Sequence, residues 1–377
     1  MEENLKFNYL KAIGSLLVVL SHAGGGGLLF FLWNFWFPPA SFYMPLFVFA
    51  AGYFYSENLS ALKYIQKRFI RLVIPYYSWN LFYGLIVTFL VFAGVSSIGN
   101  PITPYNFLIT PWITSNSGYA FNDATWFALW LFTVQAAYSV IRKTLRLRNE
   151  YALLVLCFAL GLLGTYFSTS GLFSGPLFGQ LIKLLFGLPF IQLGFLYRIK
   201  LEAHDKSNLK TMALVLLIQG ALISIFHREF PFNFYIGQGG FDNVFLPFLT
   251  SLTGIWFWLQ ICSILSSKIG SIRILRIIGN HTWDIMVHHL LGFWLLNTVF
   301  FILNPPGFDV AQYKTKIMYL YVIGGDTHFL ILYAVAGIAV SLAMYKMTSI
   351  IKERFLGLSI VKKSCLRFSG NPRFRLH

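Results

Sequence analysis

Apolar stretches of about twenty residues recur along almost the whole chain, and this repetition leaves few folds open to it. Ten can be marked, at 10–32, 40–56, 72–95, 124–141, 150–168, 179–197, 211–226, 244–266, 277–302 and 328–347, with 40–56 and 211–226 the shortest. Only 11% of the 377 residues are charged and 57% are hydrophobic, whereas a soluble domain carries about 25% charge. Such a chain cannot coat a water-soluble globule, and it is neither disordered, a coiled coil nor a secreted disulfide scaffold. Cys157, Cys262 and Cys365 are too few and too scattered for a disulfide framework or a thiolate metal site. The expected fold is all-α, a polytopic membrane protein of about ten transmembrane helices with both termini cytoplasmic. The transmembrane domain should cover 1–350, and a basic cytoplasmic tail 351–377.

The distribution of charge orients these segments. With both termini on one side, that side holds 25 of the 29 Lys and Arg residues; the opposite loops hold Arg228, Lys314 and Lys316, and Lys183 lies inside a span. Basic loops face the cytoplasm. The net charge of +16 then needs no nucleic acid, because juxtamembrane clusters orient helices and touch anionic lipid. Lys6 and Lys11 before an apolar run, followed by Ser21-His22-Ala23, imitate a cleavable signal peptide. Losing that segment would upset the charge alternation, so it is read as the first span. The outer loops 96–123, 227–243 and 303–327 are poor in Lys and Arg and rich in Gly, Pro, Asn and aromatics. Their rings suit either a sugar-facing surface or an interfacial belt, the latter for Trp33, Trp36 and Trp112.

Ionisable groups at membrane depth mark function by default. Lys11 and His22 are eleven residues apart, almost three helical turns, which places them on one face ~16 Å apart. In segment nine, His281, Asp284 and His288 share a face, and a carboxylate beside an imidazole makes a general base. His289 points about 100° away on the same helix. Residue types alone would allow a metal there, but no adequate third and fourth ligand is evident and none is expected. Arg68 and Arg71, at i and i+3, would share a face and grip a phosphate bidentately.

The order of these features resembles the acyltransferase type three family of integral membrane O-acyltransferases. Its opening motif, a basic residue, ten intervening residues and then a histidine, is matched by Lys11 and His22 in NYLKAIGSLLVVLSHAG, with lysine standing where the family usually has arginine. SFYMPLFVFAAGYFY (41–55), Arg68-x-x-Arg71 before Pro75, DATWFALWLF (123–132) and LPFIQLGFLYR (188–198) are similar to its later motifs. IIGNHTWDIMVHH (277–289) resembles a late motif whose histidine falls on His289; Asp284 and His288 are not part of that pattern.

The resemblance implies a ten-helix bundle in the cell membrane, of the bacterial cytoplasmic type, that takes an acyl group, usually acetyl, from cytoplasmic acetyl-CoA. The acceptor would be a hydroxyl of an extracytoplasmic saccharide or glycan. Lys11, Arg68 and Arg71 would hold the donor's phosphates, and His22 would act as general base or acyl relay. Trp126, Tyr77 or a protonated histidine would steady the oxyanion. Where spacing favours Asp284–His288 as the working pair, the motif favours His289; the expectation is that His289 faces the catalytic cavity while Asp284 and His288 satisfy each other. A membrane transporter or flippase of a polar substrate is the alternative reading.

Overall fold

The structure is a computed structural model and describes residues 4–24, 41–114, 119–147, 149–172, 175–205, 207–226 and 240–356. Trp33, Trp36, Cys365 and most of the loop 227–243 therefore lie outside the described residues, as does the basic tail from 357. Every regular element among the described residues is helical. Without water to satisfy a lipid-exposed peptide group, a helix that closes its own hydrogen bonds is the available solution.

In chain order the α-helices are α1 (Leu5–His22), α2 (Tyr43–Tyr53), α3 (Ala61–Arg68), α4 (Ile74–Phe92), α5 (Pro104–Leu108), α6 (Thr110–Ile113), α7 (Trp126–Leu145), α8 (Glu150–Ser170) and α9 (Pro176–Leu196). They continue as α10 (Leu209–Phe226), α11 (Leu246–Ile264), α12 (Arg273–Asn280), α13 (Thr282–Leu303), α14 (Val310–Thr315) and α15 (Ile331–Leu356). Eight helical stretches are long and apolar enough to cross a membrane: 61–92, 120–145, 150–170, 176–204, 209–226, 246–269, 282–303 and 331–354. The described parts of the first two expected segments carry helices as well. α1 runs 18 residues, but α2 has only eleven and spans ~16 Å. α2 is apolar all round and buried inside the bundle (Leu46 and Val48 are 0% exposed), as such a helix must be.

Backbone contact fixes α2. A Cβ added at Gly52 would lie 2.0 Å from the Ile191 carbonyl oxygen, and one at Gly194 would lie 1.9 Å from that of Phe49. α2 and α9 thus cross with no side chain between them, the close approach that small residues allow in membrane bundles. α13 and α15 meet in the same way, where Gly292 faces Gly337.

Two departures from the expected layout matter below. The third segment does not begin near residue 72: α3 and α4 form one stretch joined by a π-helical turn, Phe69–Val73. The described part of loop 303–327 also spends its aromatic rings inward. The Tyr313 hydroxyl bonds Thr298 (2.9 Å), that of Tyr319 accepts from the Asp309 N–H (2.8 Å), and that of Tyr321 donates to the Pro306 carbonyl (2.8 Å). All three are under 10% exposed, so they staple the loop instead of forming a stacking platform.

Candidate active site

α1 and α13 run side by side in the same direction. At one end Asn8 Nδ2 donates to Asn280 Oδ1 (2.7 Å), and at the other His22 Nδ1 lies 2.8 Å from His289 Nε2. Both histidines stand out in the sequence, and the fold brings them into one pair. Their rings are nearly parallel, with centroids 5.0 Å apart.

The partners of the pair decide where its protons sit. His289 Nδ1 is 2.8 Å from the Ile285 carbonyl, and a carbonyl can only accept, so Nδ1 carries the hydrogen. In a neutral ring His289 Nε2 is then an acceptor, and the hydrogen between the two rings belongs to His22 Nδ1. That leaves the lone pair of a neutral His22 on its Nε2. The chain carbonyl–His289–His22 orients one base through another, as a carboxylate does in other catalytic sites.

His289 also lines a cavity of about 250 Å³ enclosed by α1, α2, the π turn, α7 and α13. Side-chain contacts set the order of its walls. Asn8 near the start of α1 is bonded to Asn280, the last residue of α12 just before α13 begins, and His22 at the far end of α1 meets His289 further along α13. α7 runs opposite to α3, since Tyr64 bonds Gln135 (2.9 Å) and Phe69 packs on Phe132 (5.9 Å). α2 runs opposite to α1, with Tyr53 stacked on Phe7 (3.6 Å) and Phe47 against Gly14. Ser15, Arg71, Leu131 and Thr282 therefore sit at the mouth, and Val19, Met44, Ala124 and His289 at the deep end. Seven residues separate Thr282 from His289, ~10 Å along the axis. His22 stands beyond the deep end, one turn past Val18 on the face of α1 that also carries Lys11 and Ser15.

The other expected residues are placed differently from the reading of the sequence. Arg71 lines the mouth, but Arg68 does not; its guanidinium lies over the Tyr64 ring, 4.9 Å from the centroid. The π turn separates them, because its wider winding rotates residues three apart away from the shared face an α-helix would give. Asp284 and His288 do not pair. Asp284 lies in the first turn of α13 and leans back to the N-cap, where Oδ2 is 3.4 Å from His281 Nδ1, since helical side chains point towards the N-terminus. His288 Nδ1 is bonded by the Tyr83 hydroxyl of α4 (2.6 Å), and its ring stands edge-on to Trp79.

Trp126 and Tyr77, expected near the oxyanion, do not line the cavity. Trp126 carries the Lys183 ammonium over its ring at 5.4 Å, and the Tyr77 hydroxyl accepts from Trp112 Nε1 (2.7 Å). Trp112 is thereby tied to the bundle. Ser15, Met44, Phe47, Phe127 and Trp283 line the cavity without having stood out in the sequence. Each lies within or beside a motif already noted, but nothing in their spacing distinguished a cavity wall from core.

The model of the type three acyltransferase family, described as an acyltransferase domain, matches residues 4–346. No curated protein and no solved structure matches the chain. The matched span takes in every helix that builds the histidine pair and the cavity beside it, and the chain belongs to the type three acyltransferase family as a multi-pass membrane acyltransferase.

Proposed function

We propose that the protein is an O-acetyltransferase of the cell membrane, moving the acetyl group of cytoplasmic acetyl-CoA to a hydroxyl of a saccharide on the far side. The observation that carries this reading is the His22–His289 pair at the deep end of a cavity whose mouth holds Arg71. Arg71 meets the phosphates of the donor at the mouth. The pantetheine arm follows the cavity inward and brings the thioester carbonyl to the pair. The saccharide acceptor arrives from the other side, where His22 presents its Nε2 lone pair.

His22 Nε2 removes the acceptor's hydroxyl proton as the oxygen attacks the thioester carbon. A C–O bond forms and the C–S bond breaks; the thiolate leaves and takes the proton back from the His22 imidazolium. During the step His289 Nε2 accepts the Nδ1–H of the charged ring, and its own Nδ1–H rests on the Ile285 carbonyl. In a dry site such a chain of acceptors stabilises the transient charge, and general base catalysis is worth ~10²–10⁴ in rate.

The test uses purified protein in nanodiscs with radiolabelled acetyl-CoA, measuring thioester loss and label transfer. Activity should depend on His22 and should saturate with acetyl-CoA. Acetyl-CoA that is bound but never consumed would sink the reading.

A further inference from the structure

Beyond the place where a thioester would react, the deep end of the cavity has a definite shape. Its wall is formed by Met44 and Phe47 from α2 and by Ala124 and Phe127 from the start of α7 and the turn before it, with His289 opposite. The backbone behind this wall cannot easily yield. α2 is held by backbone contact with α9 at Gly52 and Gly194, and Phe47 fills the space a Cβ on Gly14 would need. Ala124 belongs to a 3₁₀ helix, Ala120–Thr125, that is tied at both ends. There the Thr125 hydroxyl donates to the Asn122 carbonyl (2.7 Å), and the Tyr119 N–H donates to Asn122 Oδ1 (3.2 Å). Phe121 of the same turn packs on Tyr83 and Trp294. Met44 and Ala124 are 8% and 5% exposed, so neither can swing out into solvent.

The space is small. A cavity of about 250 Å³ falls below the range of roughly 300–1,000 Å³ typical of pockets for drug-sized ligands. A donor arm entering at Arg71 uses most of the ~10 Å of depth. Whatever is attached to the thioester carbon at His289 must fit in what remains, between the Met44 side chain and the Cβ of Ala124.

We propose that Met44 and Ala124 are the residues that set acyl-chain length, forming a seat that takes a two-carbon acyl group and rejects longer ones. The seat rests on the acyl-CoA reading above. Ala124 is the firm side of it, a short side chain on a pinned turn. Met44 is the adaptable side, since an unbranched thioether changes rotamer at low cost. Shortening Met44 opens the seat, and enlarging Ala124 closes it.

The experiment is a competition. Wild type, Met44→Ala and Ala124→Val, each in nanodiscs, receive acetyl-CoA and butanoyl-CoA in equal amounts, and the loss of each thioester is followed by mass spectrometry with water as acceptor. The ratio of the two rates is independent of how much of each variant is folded. Wild type should favour acetyl-CoA by at least about tenfold, the lower end of what one methylene is worth in an apolar pocket. Met44→Ala should bring that ratio down by about tenfold. Ala124→Val should raise it further. Thioester consumption with ratios unchanged in both variants overturns the seat alone. If wild type consumes neither thioester, the donor reading falls and the seat falls with it.

Discussion

His288 and His289 are consecutive residues, both fully buried on α13, yet they live in different chemistry. The ~100° between successive helical side chains sends His289 towards α1 and the cavity, and His288 towards α4. His289 has both nitrogens engaged, one with a carbonyl and one with another imidazole. His288 has Nδ1 bonded by Tyr83, while Nε2 finds no nitrogen or oxygen partner among the described residues. One ring is wired into a chain that ends in a lone pair beside a cavity; the other is packed among Trp79 and Tyr83. Burial is equal, so burial does not tell function from packing here. The difference lies in where each ring's second nitrogen leads.

Breaking the wired side should produce the largest effects. His22→Gln keeps the volume and polarity of the site but removes the base, so transfer should fall by at least about 10²-fold with little loss of folded protein. Retention of most activity would show that the lone pair is not used. Next comes the contrast between the neighbours. His289→Ala should cut turnover by about tenfold or more, because His22 loses the acceptor that fixes its tautomer. His288→Ala should lower the thermal midpoint while leaving turnover per folded molecule within about threefold, as expected of a packing cost. An inactive, well-folded His288→Ala would move the site round the helix.

The two arginines repeat the contrast at the mouth. Arg71 lines the cavity and Arg68 lies on Tyr64. Arg71→Ala should raise the KM for acetyl-CoA by about tenfold, the equivalent of ~1.4 kcal/mol, and Arg71→Lys should recover only part of it, lacking the planar fork. Arg68→Ala should change the same KM by no more than about twofold. Equal effects at the two positions would mean that donor binding ignores the separation made by the π turn.

This pair also shows what could be read from the sequence and what could not. Hydropathy and the lopsided Lys/Arg distribution reveal an all-helical membrane protein, because those signals are local and accumulate over twenty residues. The Lys11–His22 spacing and the motif at 277–289 pointed to the two histidines that meet. Partner choice was not legible. An i, i+3 and an i, i+4 neighbour are equally reachable by spacing, and Asp284 turned to His281 because its side chain leans towards the start of the helix. A π turn has no hydropathy signature, so Arg68 and Arg71 looked like neighbours. Trp126 and Tyr77 have the right chemistry for an oxyanion, but packing committed them to Lys183 and Trp112.

The smallest predicted effect tests whether the His288 side is packing and nothing more. Tyr83→Phe removes the hydroxyl that bonds His288 Nδ1 at 2.6 Å and leaves a second buried nitrogen of that ring without a partner. His288→Leu does the converse and strands the Tyr83 hydroxyl, which is 0% exposed. Each single change leaves one buried polar group unsatisfied, at a cost of ~1–3 kcal/mol. Replacing both partners by apolar groups of similar size removes the orphan altogether. The double variant should therefore melt at or above the midpoint of either single variant, a non-additivity that neighbouring residues show and distant ones do not. Acetyl-CoA turnover measured alongside should stay near wild type in all three. If the double variant instead lost the sum of the two single effects, or if any of the three lost turnover while remaining folded, the Tyr83–His288 bond would be doing more than joining α4 to α13, and the two faces of the helix would have to be treated as one site.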